Sequence, residues 1–294
     1  MALEIEIPAA LAYARTHALH AIVIALGDEI VAQEYGAGFD VNKPHSLYSG
    51  TKSFWGPAAL CAHEDGLLEL DETVAATFAS WRDDPWKRRV TLRMLLSLTA
   101  GFGFGGLGAA VPEYERALVT PLKNEPGSRF TYGGVPFQVF GAVLARKLAD
   151  RRLTPHDYLR ERVLDPAGVR VASWRSLKDG THPLPTGASL CAMDWLAYGR
   201  YVARAADRLA PCFEGSAANA RYGLGWWLGA REFTPSTVEG PKDLVYASGS
   251  AGQALYVVPS LDLTVVRFGA SASFRHETFL RRLKVTRASR RRPA

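Results

Sequence analysis

Residues 49–61, SGTKSFWGPAALC, are the stretch that most constrains the fold and chemistry of this chain. A helix over these residues places Ser49 and Lys52 one turn apart on the same face. A serine hydroxyl is a weak nucleophile at neutral pH and needs a base within hydrogen-bond reach. A lysine buried in apolar surroundings loses basicity, so its neutral amine can accept that proton. The spacing therefore predicts a nucleophile with its base. A helix cap at Ser49 beside a solvent-exposed Lys52 is the alternative.

The residues around this stretch favour burial of the lysine. Leu47 and Tyr48 precede it, and mostly apolar residues follow it from Phe54 to Leu60. No other serine in the chain has a lysine three positions later. The rest of the sequence is therefore interpreted around Ser49 and Lys52.

The charge of the chain is concentrated at its C-terminal end. The 294 residues carry a formal net charge of +6, and seven basic residues without an acid lie in residues 281–294. The remaining chain is close to neutral. A short basic end of this kind is usually solvated, so residues 287–294 are expected to form a disordered tail. No recognition motif accompanies the charge, and a nucleic-acid partner is not expected.

Neither a metal site nor a membrane segment is expected. The three cysteines are far apart and lack the CxxC spacing of a zinc site, and the histidines lack metal-ligand spacing. No apolar run reaches the length that spans a bilayer. The start, MALEIEIPAA, lacks the features of a signal peptide, which favours a cytoplasmic protein unless an export signal has been removed. No metal or organic cofactor is therefore expected, and the oligomeric state is left open.

Strand patterns occur near both ends of the chain, and helical patterns occupy the middle. Strands are predicted at 21–26, 29–36, 244–249, 253–259 and 263–269. This order predicts an α+β fold, in which both termini complete one antiparallel five-stranded sheet flanked by helices. A mainly helical lobe is inserted into it. The predicted division is a sheet domain formed by residues 1–71 and 186–286, a helical lobe formed by residues 72–185, and the basic tail.

A glycine-rich stretch, GFGGLG at 103–108, matches the spacing of a dinucleotide-binding loop. It follows a predicted helix instead of a strand, and apart from Glu125, in a turn at Asn124-Glu125, no acid lies at the distance needed to bind a ribose. We interpret it as a flexible loop that borders a cleft.

Two further stretches carry groups suited to acyl transfer. PGSRFTYGG, at 126–134, places Tyr132 on a turn before a helix, where a phenol can relay a proton to a leaving group. Plain packing of the ring is the alternative. Ala247-Ser248-Gly249 ends a strand and is followed by Ser250. An edge strand presents unpaired N–H groups that bind a substrate backbone or an oxyanion, although a glycine-marked strand end is an alternative interpretation.

Together, Ser49-x-x-Lys52, Tyr132 and Ala247-Ser248-Gly249 resemble the motifs of the serine β-lactamase and penicillin-binding-protein superfamily. The chain is most similar to the class C β-lactamase-related branch, which includes family VIII esterases, D-amino-acid peptidases and 6-aminohexanoate-dimer hydrolases. The resemblance covers most of the chain. It also includes YGLGWWLG at 222–229 and GQALYVVPSLDLTVVRFG at 252–269.

The resemblance implies a β-lactamase/transpeptidase-like fold and a role for each motif residue. Ser49 would be the acylated nucleophile and Lys52 its base. Tyr132 would pass a proton to the leaving group and help activate water for deacylation. The backbone N–H groups of Ser49 and Ser250 would form the oxyanion hole. Gly134, Ala247, Ser248 and Gly249 would contact the substrate, together with Ser250.

Two positions depart from the family pattern. The family's Tyr-x-Asn is Tyr132-Gly133-Gly134, so the amide that holds a substrate carbonyl is missing. The lysine or histidine of its Lys-Thr-Gly or His-Thr-Gly motif is Ala247, which removes the cation that pairs with a substrate carboxylate. One lost charge-assisted hydrogen bond costs about 1.5–3 kcal/mol. Arg129 or Arg221 is an alternative source of that charge.

The sequence therefore predicts a serine hydrolase that acts through a covalent acyl-enzyme on small esters or amides. The alternatives are β-lactamase or D-amino-acid peptidase activity, and a catalytically weak module that recognises penicillins. The expected partner is a small-molecule substrate, with no nucleic acid or membrane.

Overall fold

An antiparallel β-sheet forms the centre of the structure, a computed structural model that describes residues 3–229, 241–284 and 286–287. The strands are β1 (Leu3–Glu4), β2 (Leu19–Leu26), β3 (Glu29–Tyr35), β4 (His45–Ser46), β5 (Ser173–Trp174), β6 (Ala188–Leu190), β7 (Trp227–Leu228), β8 (Val245–Gly249), β9 (Gln253–Val258), β10 (Leu263–Gly269) and β11 (Thr286–Arg287). The α-helices are α1 (Ile7–Arg15), α2 (Trp55–Glu64), α3 (Val74–Thr77), α4 (Leu92–Leu96), α5 (Tyr114–Val119), α6 (Val135–Lys147), α7 (Pro155–Leu159), α8 (Ala192–Arg204) and α9 (His276–Leu283).

The central sheet joins the two ends of the chain. Within the described residues its strand order is β3-β2-β10-β9-β8-β7, and every pairing is antiparallel. The N-terminal strand β2 lies beside the C-terminal β10, with Val23 opposite Val266. The five long strands confirm the predicted sheet, and the two-residue strand β7 extends it. Within the described residues β7 pairs with Val245 and Tyr246, so the later part of β8 lacks this partner.

The two faces of the sheet are buried by different helices. Helices α1 and α9 pack together over one face, against side chains such as Ile24 and Val265. Helix α8 packs against β2, β9 and β10 on the other face, which also meets α2 and the central helices. One apolar cluster continues from Val23 in the sheet to Phe137 in α6. Strands β2, β9 and β10 are therefore buried on both faces, as their apolar runs require, whereas the edge strand β3 is partly exposed.

Local capping explains where several central helices begin. The Thr91 hydroxyl accepts a hydrogen bond from the Met94 amide at the start of α4. Thr154 and Asp157 form a reciprocal capping box at the start of α7. Pro136 lies in the first turn of α6, where its missing N–H has no helical partner to lose. These capping residues and the proline are signals that can be read from the sequence.

The remaining predictions about domain organisation stay predictions. The predicted division separates residues 1–71 and 186–286 from residues 72–185. The continuous apolar cluster includes residues of both parts and marks no boundary between them. Residues 288–294 of the predicted basic tail lie outside the described residues. Among the described helices, none is both long enough and apolar enough to cross a membrane.

Candidate active site

Ser49 and Lys52 lie on one side of a short 3₁₀-helix, Tyr48–Phe54, which leads directly into α2. With three residues per turn, positions i and i+3 of a 3₁₀-helix are eclipsed. The Lys52 Nζ atom is 3.2 Å from the Ser49 Oγ atom, within hydrogen-bond distance. The structure thus brings the predicted nucleophile and base together, with a tighter helical turn than the α-helix that the sequence suggested.

The residue before Ser49 has a strained backbone. Tyr48 has a φ of 47°, in the left-handed region that a bulky L-residue rarely adopts, and its side chain is 44% exposed. Such conformations cost about 1–3 kcal/mol and persist where the surrounding structure holds them. Here the Tyr48 amide donates to Ser46 Oγ at 3.4 Å, and the Gly50 amide donates to the Leu47 carbonyl at 2.9 Å. These two hydrogen bonds hold the strained turn that precedes Ser49.

Lys52 is buried against aromatic rings. Lys52 is 1% exposed. Its Nζ atom lies 4.7 Å from the centroid of the Tyr132 ring and 5.8 Å from that of the Phe137 ring. Besides Ser49 Oγ, Nζ donates to the Pro185 carbonyl at 3.3 Å. Burial disfavours the ammonium and lowers the pKa of Lys52 to about 7. A substantial fraction of the amine is therefore neutral at pH 7 and able to accept the serine proton.

The carbonyl that meets Lys52 belongs to a firmly held segment, residues 183–185. Trp174 Nε1 donates to the Pro183 carbonyl at 3.0 Å, and Trp55 Nε1 donates to the Leu184 carbonyl at 2.6 Å. The Leu184 amide donates to Gln138 Oε1 at 2.8 Å. Sequence reasoning missed this segment, since no local pattern links residue 185 to residue 52.

The Tyr132 ring packs beside Lys52, with Nζ 4.7 Å from the ring centroid. Burial raises the pKa of its phenol, and a hydrogen bond with Ser49 lowers it in part. The phenol is therefore protonated at neutral pH and lies within hydrogen-bond reach of Ser49, the predicted nucleophile. Tyr132 also stacks on Trp227, with ring centroids 5.9 Å apart and planes inclined by 17°. The ring thus packs as well as facing Ser49, so both sequence interpretations describe part of its environment.

Ser49 opens into a cavity of about 330 Å³ along the late part of β8. Its described lining residues are Ser49, Tyr132, Trp227, Tyr246, Ser248, Gly249, Ser250 and His276. Of these residues none is charged at neutral pH, because burial lowers the pKa of His276 to about 4. The cavity is therefore neutral and partly aromatic over the surface that these residues form.

The residues of the Ala247-Ser248-Gly249 motif lie at the predicted strand end but face in different directions. The Ala247 side chain is 1% exposed and packs in the apolar core, while Ser248 faces the cavity. Gly249 allows β8 to approach the strained turn, because a Cβ there would lie 2.1 Å from the Leu47 carbonyl oxygen. The close approach places Ser250, the next residue, beside the cavity with Ser49.

Ser250 begins a tight turn, Ser250–Gly252. Two buried side chains donate hydrogen bonds to backbone carbonyls of this turn. Gln253 Nε2 donates to the Ser250 carbonyl at 3.0 Å. Arg267 Nη1 donates to the Gly252 carbonyl at 2.5 Å, and its Nη2 donates to the His17 carbonyl at 2.5 Å. These contacts fix the peptide units around the Ser250 amide. Sequence reasoning found Ser250 but missed the side chains that hold it.

Gly134 lies beneath the glycine-rich loop instead of on the cavity wall. Its amide donates to the Gly105 carbonyl at 2.9 Å, and a Cβ at Gly134 would lie 1.9 Å from the Gly106 carbonyl oxygen. The loop at 103–108 thus packs where a side chain at position 134 would begin. This contact explains physically why the family's asparagine is absent. A substrate contact by Gly134 remains a prediction.

His276 and Tyr256 are further polar groups at the site that sequence reasoning missed. His276 Nε2 is 2.9 Å from Ser248 Oγ, and its Nδ1 is 2.6 Å from the Tyr256 hydroxyl. Tyr246 and Tyr256 are directly opposite each other on β8 and β9. Strand alternation could have placed Tyr246, Ser248 and Tyr256 on one face. Nothing local in the sequence connects His276 to them.

Comparison with known proteins matches the chain to one family. A family profile described as Beta-lactamase matches residues 11–284. A lovastatin esterase from Penicillium rubens is 30% identical over 154 residues, which cover 42% of this chain and 37% of that protein. A monacolin J acid methylbutanoyltransferase from Aspergillus terreus is 29% identical over 160 residues, 44% of this chain and 37% of that protein. The matches thus span little more than a third of each curated relative.

Solved structures share the fold over nearly the whole chain. EstCE1, a hydrolase with promiscuous acyltransferase activity, superposes with a TM-score of 0.72 at 17% identity, covering 95% of this chain and 97% of that chain. A penicillin-binding protein from Bacillus halodurans superposes with a TM-score of 0.67 at 18% identity, covering 92% and 96% of the two chains. At these identities the likeness shows the fold, and it confirms the predicted β-lactamase/transpeptidase-like architecture.

Proposed function

The chain belongs to the Beta-lactamase family of serine hydrolases, and on that premise we propose that it cleaves small uncharged esters or amides through an acyl-enzyme on Ser49. The observation that carries the proposal is the 3.2 Å contact between Lys52 Nζ and Ser49 Oγ. Burial lowers the pKa of that lysine to about 7, so the base is available at neutral pH. A serine with such a base has the requirements of an activated nucleophile.

In the acylation step, neutral Lys52 accepts the Ser49 proton while Oγ forms a bond to the substrate carbonyl carbon. The backbone N–H groups of Ser49 and Ser250 stabilise the negative charge that develops on the carbonyl oxygen. When the tetrahedral intermediate collapses, its bond to the leaving group breaks and Tyr132 donates a proton to that group. Lys52 then returns its proton to the phenol. In deacylation, water attacks the ester on Ser49 with the same groups acting in reverse.

The cavity supports uncharged substrates. A carboxylate that enters it must lose water, and the described lining residues offer it no cation. Ala247, at the motif position of the cation, has a buried methyl side chain. A neutral short-chain ester needs only the nucleophile, the oxyanion donors and an apolar surface such as Trp227. The esterase and acyltransferase among the relatives support ester chemistry for this chain.

The test is covalent labelling combined with a substrate comparison. A fluorophosphonate probe is expected to add its mass to the peptide that contains Ser49, and Ser49→Ala is expected to abolish the label. Ser273→Ala, which changes an exposed serine, is the matched control and should label normally. Labelling that persists in Ser49→Ala contradicts the proposal.

The second part of the test compares kcat/KM for p-nitrophenyl butyrate and a chromogenic cephalosporin. The ester is expected to be the better substrate by at least about 10-fold, the effect of one missing charge-assisted hydrogen bond. Ala247→Lys should shift the ratio toward the cephalosporin. Equal turnover of the two substrates would show that another group, such as Arg129 or Arg221, supplies the charge.

A further inference from the structure

Three side chains that the proposed acyl-transfer steps leave unused form a hydrogen-bonded chain that ends in the cavity. Ser248 on β8 is 2.9 Å from His276 Nε2 on α9, and His276 Nδ1 is 2.6 Å from the hydroxyl of Tyr256 on β9. Ser248 and His276 both line the cavity beside Ser49. We call Ser248, His276 and Tyr256 the relay.

The protons of the relay can be assigned from the chemistry of its members. Burial keeps the His276 ring neutral at pH 7, so one ring nitrogen donates and the other accepts. A phenol is far more acidic than an aliphatic hydroxyl and is the stronger donor of the two. The phenol of Tyr256 therefore donates to Nδ1, which agrees with the shorter of the two distances. Nε2 then carries the ring proton and donates it to Ser248 Oγ.

In this assignment the Ser248 hydroxyl does not donate its proton to the His276 ring. Because Oγ accepts from Nε2–H, the Ser248 O–H must find another acceptor, and Ser248 lines the cavity. An aromatic wall adjoins this hydroxyl. Trp227 lies between Tyr132 and Tyr246, with planes inclined by 17° and 19° and centroids 5.9 and 6.3 Å away. The cavity thus combines flat apolar surface with a directed hydroxyl donor at Ser248.

We propose that His276 and Tyr256 act as positioning residues that hold Ser248 as a hydrogen-bond donor, so that the site prefers uncharged esters with a second acceptor oxygen near the scissile carbonyl. An ether, ketone or hydroxyl oxygen fits this description. The inference rests on the proposed function and names the substrate class of the same site. With the opposite proton arrangement, Ser248 would present lone pairs, and the site would favour substrate donors instead.

The test uses two esters of the same shape, p-nitrophenyl methoxyacetate and p-nitrophenyl butyrate, which differ by one ether oxygen in place of a methylene. Their ratio of kcat/KM is compared between protein variants, so that the intrinsic reactivity of the two esters cancels. Ser248→Ala, Tyr256→Phe and His276→Leu are each expected to lower the ratio about 3- to 10-fold, the value of one hydrogen bond. His276→Gln, whose amide N–H can replace Nε2–H, should lower it less than His276→Leu.

Three further measurements make the outcome decisive. Ser273→Ala, an exposed serine near α9, should leave the ratio unchanged. The ¹⁵N resonances of the His276 ring should show a protonated Nε2 and an unprotonated Nδ1, and the opposite tautomer overturns the proposal. Fluorophosphonate labelling of Ser49 shows that each variant remains folded and active. An unchanged ratio in a Tyr256→Phe protein that still labels overturns the relay alone, whereas wild-type protein that does not label Ser49 overturns the proposed function.

Discussion

Two buried cationic side chains, Lys52 and Arg267, have similar surroundings and different consequences. Lys52 is 1% exposed and Arg267 is 0% exposed. Each donates to neutral oxygens, and each lies over an aromatic ring, Tyr132 at 4.7 Å and Phe274 at 3.8 Å. Burial lowers the pKa of Lys52 to about 7 and that of Arg267 to about 10.

The difference arises from the chemistry of the two groups more than from their burial. Arginine begins from a higher pKa and spreads its charge over a planar fork, so it keeps its proton after desolvation. Lysine begins lower, and its contacts of 3.2 and 3.3 Å are longer than the 2.5 Å contacts of Arg267. One side chain can therefore work as a base at pH 7. The other remains a cation that holds backbone carbonyls in place.

The largest effect is expected from Lys52→Arg, which keeps a cation but removes a group able to lose its proton at neutral pH. Ester hydrolysis should fall by ~10⁴–10⁶-fold, as expected for loss of the base that activates a serine. The measurement is kcat/KM for p-nitrophenyl butyrate, and Lys52→Met controls for the larger volume of arginine. Retention of a tenth of the activity by Lys52→Arg would show that Lys52 is not the base.

Tyr132→Phe keeps the ring beside Lys52 and removes only the phenol. If the phenol carries protons, kcat should fall by ~10²–10⁴-fold with little change in melting temperature. Phe274→Leu removes the corresponding ring beside Arg267, and it should lower the melting temperature instead. A Tyr132→Phe protein that keeps its activity and melts much earlier would show that the ring serves packing alone.

Arg267→Met should act mainly on stability. It leaves the buried Gly252 carbonyl and the part-buried His17 carbonyl without their donor, which costs up to about 1–3 kcal/mol for each group. The free energy of unfolding, measured in urea, should therefore fall by ~2–5 kcal/mol. Arg267→Lys can reach one carbonyl and should lose less. If both variants unfold like the wild type, the Arg267 contacts do not hold the Ser250 turn.

The last prediction concerns the pH dependence of stability. The pKa of Lys52 is about 7 in the folded protein and 10.5 in the unfolded chain. Between these values the unfolded state binds more protons, so the contribution of Lys52 to stability rises with pH. Below pH 7 both states are protonated, and the full cost of burying the charge remains. The stability gap between wild type and Lys52→Met should thus shrink from pH 7 to pH 10. A gap independent of pH would contradict the lowered pKa.

The predictable part of the site was local. The three-residue spacing of Ser49 and Lys52 predicts that their side chains lie on the same side of a helix. The strand pattern around Ala247 predicts the strand that carries the Ala247-Ser248-Gly249 motif. The missing part depends on contacts between residues that are far apart in the sequence. The Pro185 carbonyl accepts a hydrogen bond from Lys52, which is 133 positions earlier in the sequence. His276 reaches Ser248 across 28 positions through the packing of α9.

Departures from a family motif were visible in the sequence, but their physical reasons were not. Gly134 showed that an amide is absent, and only the structure shows the Gly106 carbonyl where its Cβ would lie. Ala247 showed that a cation is absent, and the structure adds that its side chain belongs to the core. A change in a motif residue therefore indicates which interaction is lost. The packing around that residue explains which side chains fit there.

The pairing of β2 with β10 also determines when the site can exist during protein synthesis. Ser49 and Lys52 leave the ribosome about two hundred residues before Ser250 and Arg267. Strand β2 has its central neighbour only after residues 263–269 have been made, and Arg267 then donates to the carbonyl of His17, 250 positions earlier. Pairings so distant in sequence form late and slow folding. The nascent chain therefore carries the proposed nucleophile before the residues proposed to complete the oxyanion hole, and the candidate site is assembled only when the last strands of the sheet are in place.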